Sequence, residues 1–211
     1  MRALIRLVLL IRLILLPLAA PGSLLALQGC STTAPAVSSA TREAATYHEH
    51  IAISGRFSVS YPHEGKTQSA QGRFHWQQRG DEVSIDLLSP LGQTLARIRV
   101  TPFIAMLERP GQQTQSATSA SELTEQMLGW PMPADGLRFW LQGFSASDTG
   151  AHPVAPNAEG AGFHAGGWQV RYVSWQPWNG GNHPRRIDLS RSSQTAGELA
   201  LRLVIDGWEP R

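Results

Sequence analysis

From Ile51 onward the chain is written in period two. Ile51, Ile53, Gly55, Phe57, Val59 and Tyr61 are apolar or small, and Ser54, Arg56, Ser58 and Ser60 stand between them. Such alternation predicts a long half-buried strand. Gly65-Lys66 marks a turn, after which Gly72, Phe74 and Trp76 alternate with Arg73, His75 and Gln77 and complete a hairpin. Val83, Ile85 and Leu87 continue the pattern, then Ala96, Ile98 and Val100 set against Arg97 and Arg99. Short strands are expected at 103–108 and 112–116, which makes an antiparallel meander.

The period changes at Ser119. Either Ser119 or Ser121 suits the cap of a helix carrying Leu123, Met127 and Leu128 on one face, with Glu122 and Glu125 early where the helix dipole favours them. Gly129 ends it. A second short helix over 134–141 places Leu137, Trp140 and Leu141 on one side. Ala, Gly, Pro and Asn dominate 145–162, which reads as a long loop. Strands resume at 168–175, 185–190 and 198–206, the last with Leu199, Leu201, Leu203 and Ile205 on one face.

Sheet brackets a helical middle, an α+β arrangement with helices laid on one face of a twisted antiparallel sheet. A long sheet curls, and one closed incompletely by helices leaves an apolar interior. Phe57, Phe74, Trp76, Trp140, Trp168 and Trp175 can line such a hollow or fill it as ordinary core. The pattern leaves both open.

Ahead of the strands lies an export signal. Arg2, Arg6 and Arg12 form the positive region, residues 13–27 the apolar one, and no acidic residue precedes Cys30. Interrupted by Pro17, Pro21 and Gly22, that stretch is shorter than the roughly 20 apolar residues of a membrane span. Leu27-Gln28-Gly29-Cys30 reads as a lipobox, so residues 1–29 are expected to be a lipoprotein signal peptide and Cys30 the acylated first residue. Two acyl chains suffice for stable anchoring. Residues 30–46, rich in Ser, Thr, Ala and Pro, read as a stalk, and 47–211 as one domain. Ser31 at the second mature position favours outer-membrane delivery.

The leader also biases the charge. Three of the 18 basic residues and none of the 16 acidic ones precede Cys30, leaving 15 against 16 in the mature part. The sequence pI of 9.1 therefore carries no nucleic-acid reading. Cys30 is the only cysteine, so its acylation excludes disulfides, cysteine proteases and thiol-based metal sites. There is no GxSxG elbow, HExxH or P-loop, so no enzyme and no cofactor is expected. His48-Glu49-His50 lacks a third obvious metal ligand. Arg185 and Arg186 beside His183 fit phospholipid headgroups or a solvated strand end, and Trp175 and Trp178 fit interface anchors or loop packing.

Five motifs stand in one order: Ser54-Gly55-Arg56-Phe57, Gly72-Arg73-Phe74-x-Trp76, Ser89-Pro90-Leu91-Gly92-Gln93-Thr94, Leu128-Gly129-Trp130-x-x-Pro133 and Arg138-Phe139-Trp140-Leu141-x-Gly143. With the lipobox they resemble the outer-membrane lipoprotein receptor family LolB, over about 51–208. The resemblance implies an incomplete, half-open antiparallel β-barrel with a short-helix lid over a hydrophobic cavity, a fold shared with the carrier LolA. It implies that acylated lipoproteins are taken from periplasmic LolA and placed in the inner leaflet of the outer membrane, from a position on its periplasmic face. Partners would be LolA, acylated lipoproteins and outer-membrane phospholipids, and a monomer keeps the opening accessible. By similarity Leu91, between Pro90 and Gly92, is the membrane-insertion residue; Ser89 stands where the family also shows asparagine. Phe57, Phe74, Trp76, Ile85, Leu87, Met127, Trp140 and Leu141 are the candidate cavity lining, each equally plausible as plain core. A lipid-anchored envelope scaffold would share anchor and sheet but have a packed interior.

Overall fold

Two residues with left-handed backbone, Glu64 (φ 50°) and Gly65 (φ 73°), turn the first alternating segment back on itself. They join β1 (His50–His63) to β2 (Lys66–Arg79) as a two-residue hairpin. The protein is described by a computed structural model covering residues 46–147, 150–154, 162–178, 181–193 and 197–211. The leader, Cys30 and the stalk as far as residue 45 lie outside the described residues.

The meander continues through β3 (Glu82–Leu88), β4 (Thr94–Val100), β5 (Ala105–Glu108) and β6 (Gln115–Ala117). Helices α1 (Ala120–Leu128) and α2 (Ala134–Trp140) follow, then a separate hairpin of β7 (Phe144–Ser147) and β8 (Gly150–Pro153). β9 (Gly162–Ala165), β10 (Trp168–Trp178), β11 (Gly181–Ser193) and β12 (Gly197–Pro210) complete the chain. β12 pairs with β1, so the ten-stranded sheet runs β6-β5-β4-β3-β2-β1-β12-β11-β10-β9, antiparallel throughout. β6 and β9 are its open edges. The architecture is thus the half-open antiparallel barrel with a short-helix lid, in the α+β class.

The predicted alternation decides which face is inside. Ile51, Ile53, Phe57 and Val59 of β1, Phe74 and Trp76 of β2, Val83, Ile85 and Leu87 of β3, and Leu199, Leu201, Leu203 and Ile205 of β12 are all buried. They form one core with Leu123, Leu137, Trp140 and Leu141 of the helical segment. α1 lies against β5 and β6, and α2 against β7.

Gly55 and Gly72 explain two of the motifs. Gly55 is registered opposite Phe74, and Gly72 opposite Phe57, so each glycine lies beneath the neighbouring strand's phenyl ring. A Cβ on Gly55 would sit 2.1 Å from the Val204 carbonyl oxygen, and one on Gly72 2.0 Å from that of Leu88. Only hydrogen fits either place. Beside Gly55 the register with β12 shifts, leaving Asp206 as the extra residue of a bulge.

The helix ends follow the capping signals. Ser119, not Ser121, caps α1, its hydroxyl oxygen accepting from the Glu122 N–H at 3.3 Å, and Gly129 (φ 85°) ends the helix. Three expectations need correction. The segment 145–162 is not wholly loop: the β7–β8 hairpin occupies its start, anchored by buried Phe144, while 148–149 and 155–161 lie outside the described residues. Small residues in a Gly- and Pro-rich stretch carry little β signal, and the backbone pairing is imposed by packing on α2. β5 begins at Ala105 rather than residue 103, because Thr101 Oγ1 accepts from the Phe103 and Ile104 N–H groups and makes that stretch a turn. β10, β11 and β12 all run longer than their apolar alternation.

Candidate functional site

Sheet and helical segment enclose an apolar hollow. Phe57, Phe74, Trp76, Ile85 and Leu87 line it from β1 to β3, and Leu141 from the end of α2. Trp130, Met132 and Leu137, with Leu201 and Leu203 of β12, complete the wall, and no lining residue is charged. Met127 and Trp140 do not border it. The Met127 side chain is half-buried at the core margin, and the Trp140 ring folds back over Gly136, where a Cβ would lie 2.3 Å from it. The β12 leucines are in the wall because the last strand docks beside the first, a pairing no local pattern announces.

The hollow measures about 30 Å³. That holds a water or two, not an acyl chain. In this conformation the interior is therefore occupied by the protein's own side chains, and room for a chain requires the lining side chains or the helices that carry some of them to shift. Among the described residues the Nε1–H groups of Trp76 and Trp140 are buried without a hydrogen-bond partner, an arrangement costing about 1–3 kcal/mol for each such donor.

Polar ties hold the helices down. Arg138 of α2 donates from Nη2 to the Gly80 carbonyl oxygen at 2.8 Å and to Asp81 Oδ1 at 2.6 Å, on the β2–β3 turn. Gln142 accepts from the His48 N–H at 2.8 Å and donates to the His48 carbonyl at 3.0 Å, and Tyr47 stacks on Phe139 at 5.3 Å. Tyr172 donates its hydroxyl to the Trp140 carbonyl at 3.0 Å, and burial pushes that phenol well above its ordinary pKa. On α1, Thr124 Oγ1 accepts from the Met132 N–H at 2.8 Å, and Arg109 donates to the Met127 carbonyl.

The β3–β4 turn is built separately. Gly92 N–H donates to the Ser89 carbonyl at 2.9 Å, and the Gln93 N–H to Ser89 Oγ at 3.1 Å. Pro90 and Leu91 are the turn's two central residues, with Gly92 left-handed at φ 86°. Ser89 thus caps the turn through its own side chain, as short polar side chains do in turns generally. Leu91 is 90 % exposed. At the far end of β4, Phe103 is 86 % exposed, an apolar tip that its turn position hid from pattern reading.

The outer face is arginine-rich. Asp206 accepts from Arg56 and Arg185, and Asp188 from Arg171, Arg186 and Arg202. Arg56 holds the Asp206 carboxyl below the usual range. Burial alone would raise Asp188, but the guanidiniums, Arg186 foremost, outweigh it. Arg185 and Arg186 are therefore ion-paired rather than free. His183 is buried, stacked on Trp208 at 4.6 Å, and burial lowers its pKa. Trp175 packs on Tyr172 at 4.9 Å, while Trp178 stays partly exposed beside His183. His48 meets Trp208 edge-on, and among the described residues no three His, Cys, Asp or Glu side chains converge as a metal would require.

Phe57, Phe74, Trp76, Trp130 and Leu141 of the wall and all of the projecting turn are motif residues, and the family's sequence profile, Outer membrane lipoprotein LolB, matches residues 49–208. The chain belongs to the LolB family. The outer-membrane lipoprotein LolB of Cupriavidus necator is 39 % identical over 201 residues, covering 94 % of this chain and 98 % of that one. That of Pseudomonas fluorescens is 33 % identical over 178 residues, covering 84 % and 82 %. A LolA superfamily protein from Nitrosomonas europaea is similar in structure with a TM-score of 0.47 and 12 % identity, over 82 % of this chain and 90 % of that one. Within the LolB domain, the first two motifs carry the reciprocal glycine–phenylalanine pairs and the last carries the Arg138 tie.

Proposed function

We propose that this LolB-family protein accepts acylated lipoproteins from the periplasmic carrier LolA and releases them into the inner leaflet of the outer membrane, where acylated Cys30 holds it. The observation that carries this reading is the uncharged wall between a half-open sheet and two short helices. A triacylated client carries on the order of 40 methylenes at about 0.8 kcal/mol each, so it does not cross water unescorted. Chains that pass from one apolar interior to another avoid hydration, and net direction comes from differential affinity alone. No covalent chemistry is needed.

Phe57, Phe74, Trp76, Ile85, Leu87 and Leu141 are assigned to the acyl-contacting wall, with Trp130, Met132, Leu137, Leu201 and Leu203. Pro90-Leu91-Gly92 is assigned to membrane docking at release. The test is transfer in solution: carrier loaded with a labelled lipoprotein is mixed with the unanchored mature chain, and cargo is counted on each protein. Accumulation on this chain supports reception, and cargo retained wholly on the carrier overturns it.

The small hollow favours a second reading, a lipid-anchored envelope scaffold with a packed interior. It predicts neither uptake of a fluorescent fatty acid nor transfer. Uptake without transfer would instead mark a general lipid-binding lipoprotein.

A further inference from the structure

The face of the sheet turned away from the hollow has its own concavity. On β1, β2 and β12 the alternation that buries the apolar residues sends Arg56, Ser58, Gln71, Arg73, Arg202 and Val204 outward. The register sets Arg56 between Arg73 and Val204, and Ser58 between Gln71 and Arg202. β3 ends at Leu88, opposite Arg73, and Pro90 of the following turn closes that end. These residues border a groove of about 350 Å³, within the size of small-ligand sites, about 300–1,000 Å³.

Its charge is one-sided. Arg56, Arg73 and Arg202 line it and no carboxylate does. The neighbouring carboxylates are outnumbered, since five guanidiniums share Asp188 and Asp206, an excess of three positive charges. Arg73 adds a fourth, and among the described residues it has no ion pair or side-chain hydrogen bond. Arg56 and Arg73 stand directly opposite on adjacent strands, like charges that repel across the sheet, and of the two only Arg56 has its charge offset, by Asp206. A guanidinium has five donors and matches a phosphate bidentately. Among the described residues Arg202 commits only Nε, to Asp188 at 3.3 Å.

We propose that this groove binds the phosphodiester of an anionic phospholipid headgroup, with Arg73 and Arg202 as its principal donors. The membrane source follows from position. Pro90 borders the groove and the next residue, Leu91, projects from the molecule, so docking the tip in the acyl region sets the groove at headgroup depth. The inference rests on the membrane-delivery reading and adds to it a polar site that orients the protein while cargo leaves.

The test is sedimentation of the mature chain carrying Cys30→Ala, which removes the anchor, with vesicles of phosphatidylglycerol and phosphatidylcholine in equal parts or of phosphatidylcholine alone. Each guanidinium near an anionic surface is worth about fivefold in binding. Arg73→Gln is expected to weaken binding to the mixed vesicles about fivefold, and Arg73→Gln with Arg202→Gln on the order of 20-fold, with little change on phosphatidylcholine. Arg73→Lys is expected to keep most of the binding. Equal binding of wild type and the double variant to the mixed vesicles overturns the site. Arg73-dependent binding of inorganic phosphate in solution, with equal binding of wild type and Arg73→Gln to the mixed vesicles, overturns the membrane source and assigns the groove to a free phosphate. Cargo acceptance by the wild-type chain is scored separately: if it fails while vesicle binding depends on Arg73, the delivery reading falls and the groove stands.

Discussion

Replacing Arg138 by Met removes the charged tie between α2 and the β2–β3 turn while keeping an apolar stem of similar length. The Arg138 side chain is 20 % exposed and Asp81 is 74 % exposed, so the ion pair itself is screened and worth at most about 1 kcal/mol. The charged hydrogen bond to the Gly80 carbonyl is the larger part, about 1.5–3 kcal/mol. A loss of about 2 kcal/mol from the closed arrangement changes its ratio to the open one roughly 30-fold. Because a nearly filled interior binds a chain only when open, apparent affinity scales with the open fraction. Stopped-flow association of a fluorescent fatty acid with the unanchored mature chain reads this out, alongside denaturant unfolding to record the stability change. Arg138→Met is expected to bind tens of times more tightly or faster while unfolding at lower denaturant. Unchanged or weaker uptake in a variant that has lost the expected stability would refute the view that α2 gates the interior.

Leu91→Glu is expected to leave the denaturant midpoint within about 0.5 kcal/mol of wild type and to accept lipoprotein normally, yet fail to release it into vesicles; normal incorporation counts against the tip. Burial of that leucine in lipid supplies about 1.5–3 kcal/mol, enough to bias docking and too little to trap the protein. Gly72→Ala forces a Cβ against the Leu88 carbonyl oxygen and should cost about 1–3 kcal/mol or more, seen as a lower unfolding midpoint; an unchanged midpoint would mean β2 and β3 separate freely there. His183 is neutral in the fold below the ordinary value of 6.5, whereas the unfolded chain takes up its proton there. Stability is therefore full above that pH and falls as pH drops through it. His183→Phe, which keeps a ring against Trp208, should remove the loss that sets in as pH falls below the ordinary histidine value of 6.5, leaving the acid limb below about pH 4 that belongs to Asp188 and Asp206.

What was legible in the sequence followed from short-range physics. Period two assigned the inward face of β1, β2, β3 and β12 correctly, because a strand has only two faces. Ser119, Gly129 and Gly65 act locally, through one cap, one helix end and one turn. Leu201 and Leu203 escaped as wall residues because their place depends on β12 lying next to β1, some 140 residues away in the chain. Trp140 was misplaced for the opposite reason: its helix face was right, but Gly136 lets the ring fold back along the helix. The glycine–phenylalanine pairs were visible as motifs, and their meaning was not, since each glycine's partner is on the other strand. The outer groove joins residues from three strands and a turn, and charge counting cannot see which carboxylates are already shared.

Photocross-linking of a lipoprotein carrying a photoactivatable acyl chain, trapped during transfer on the mature chain, shows where the chain travels. Adducts at Phe57, Trp76, Leu137 and Leu203 are expected, on both the sheet and the helical side of the hollow. Adducts confined to Leu91, Phe103 and the outer face, with none inside, would contradict an interior that opens to receive cargo.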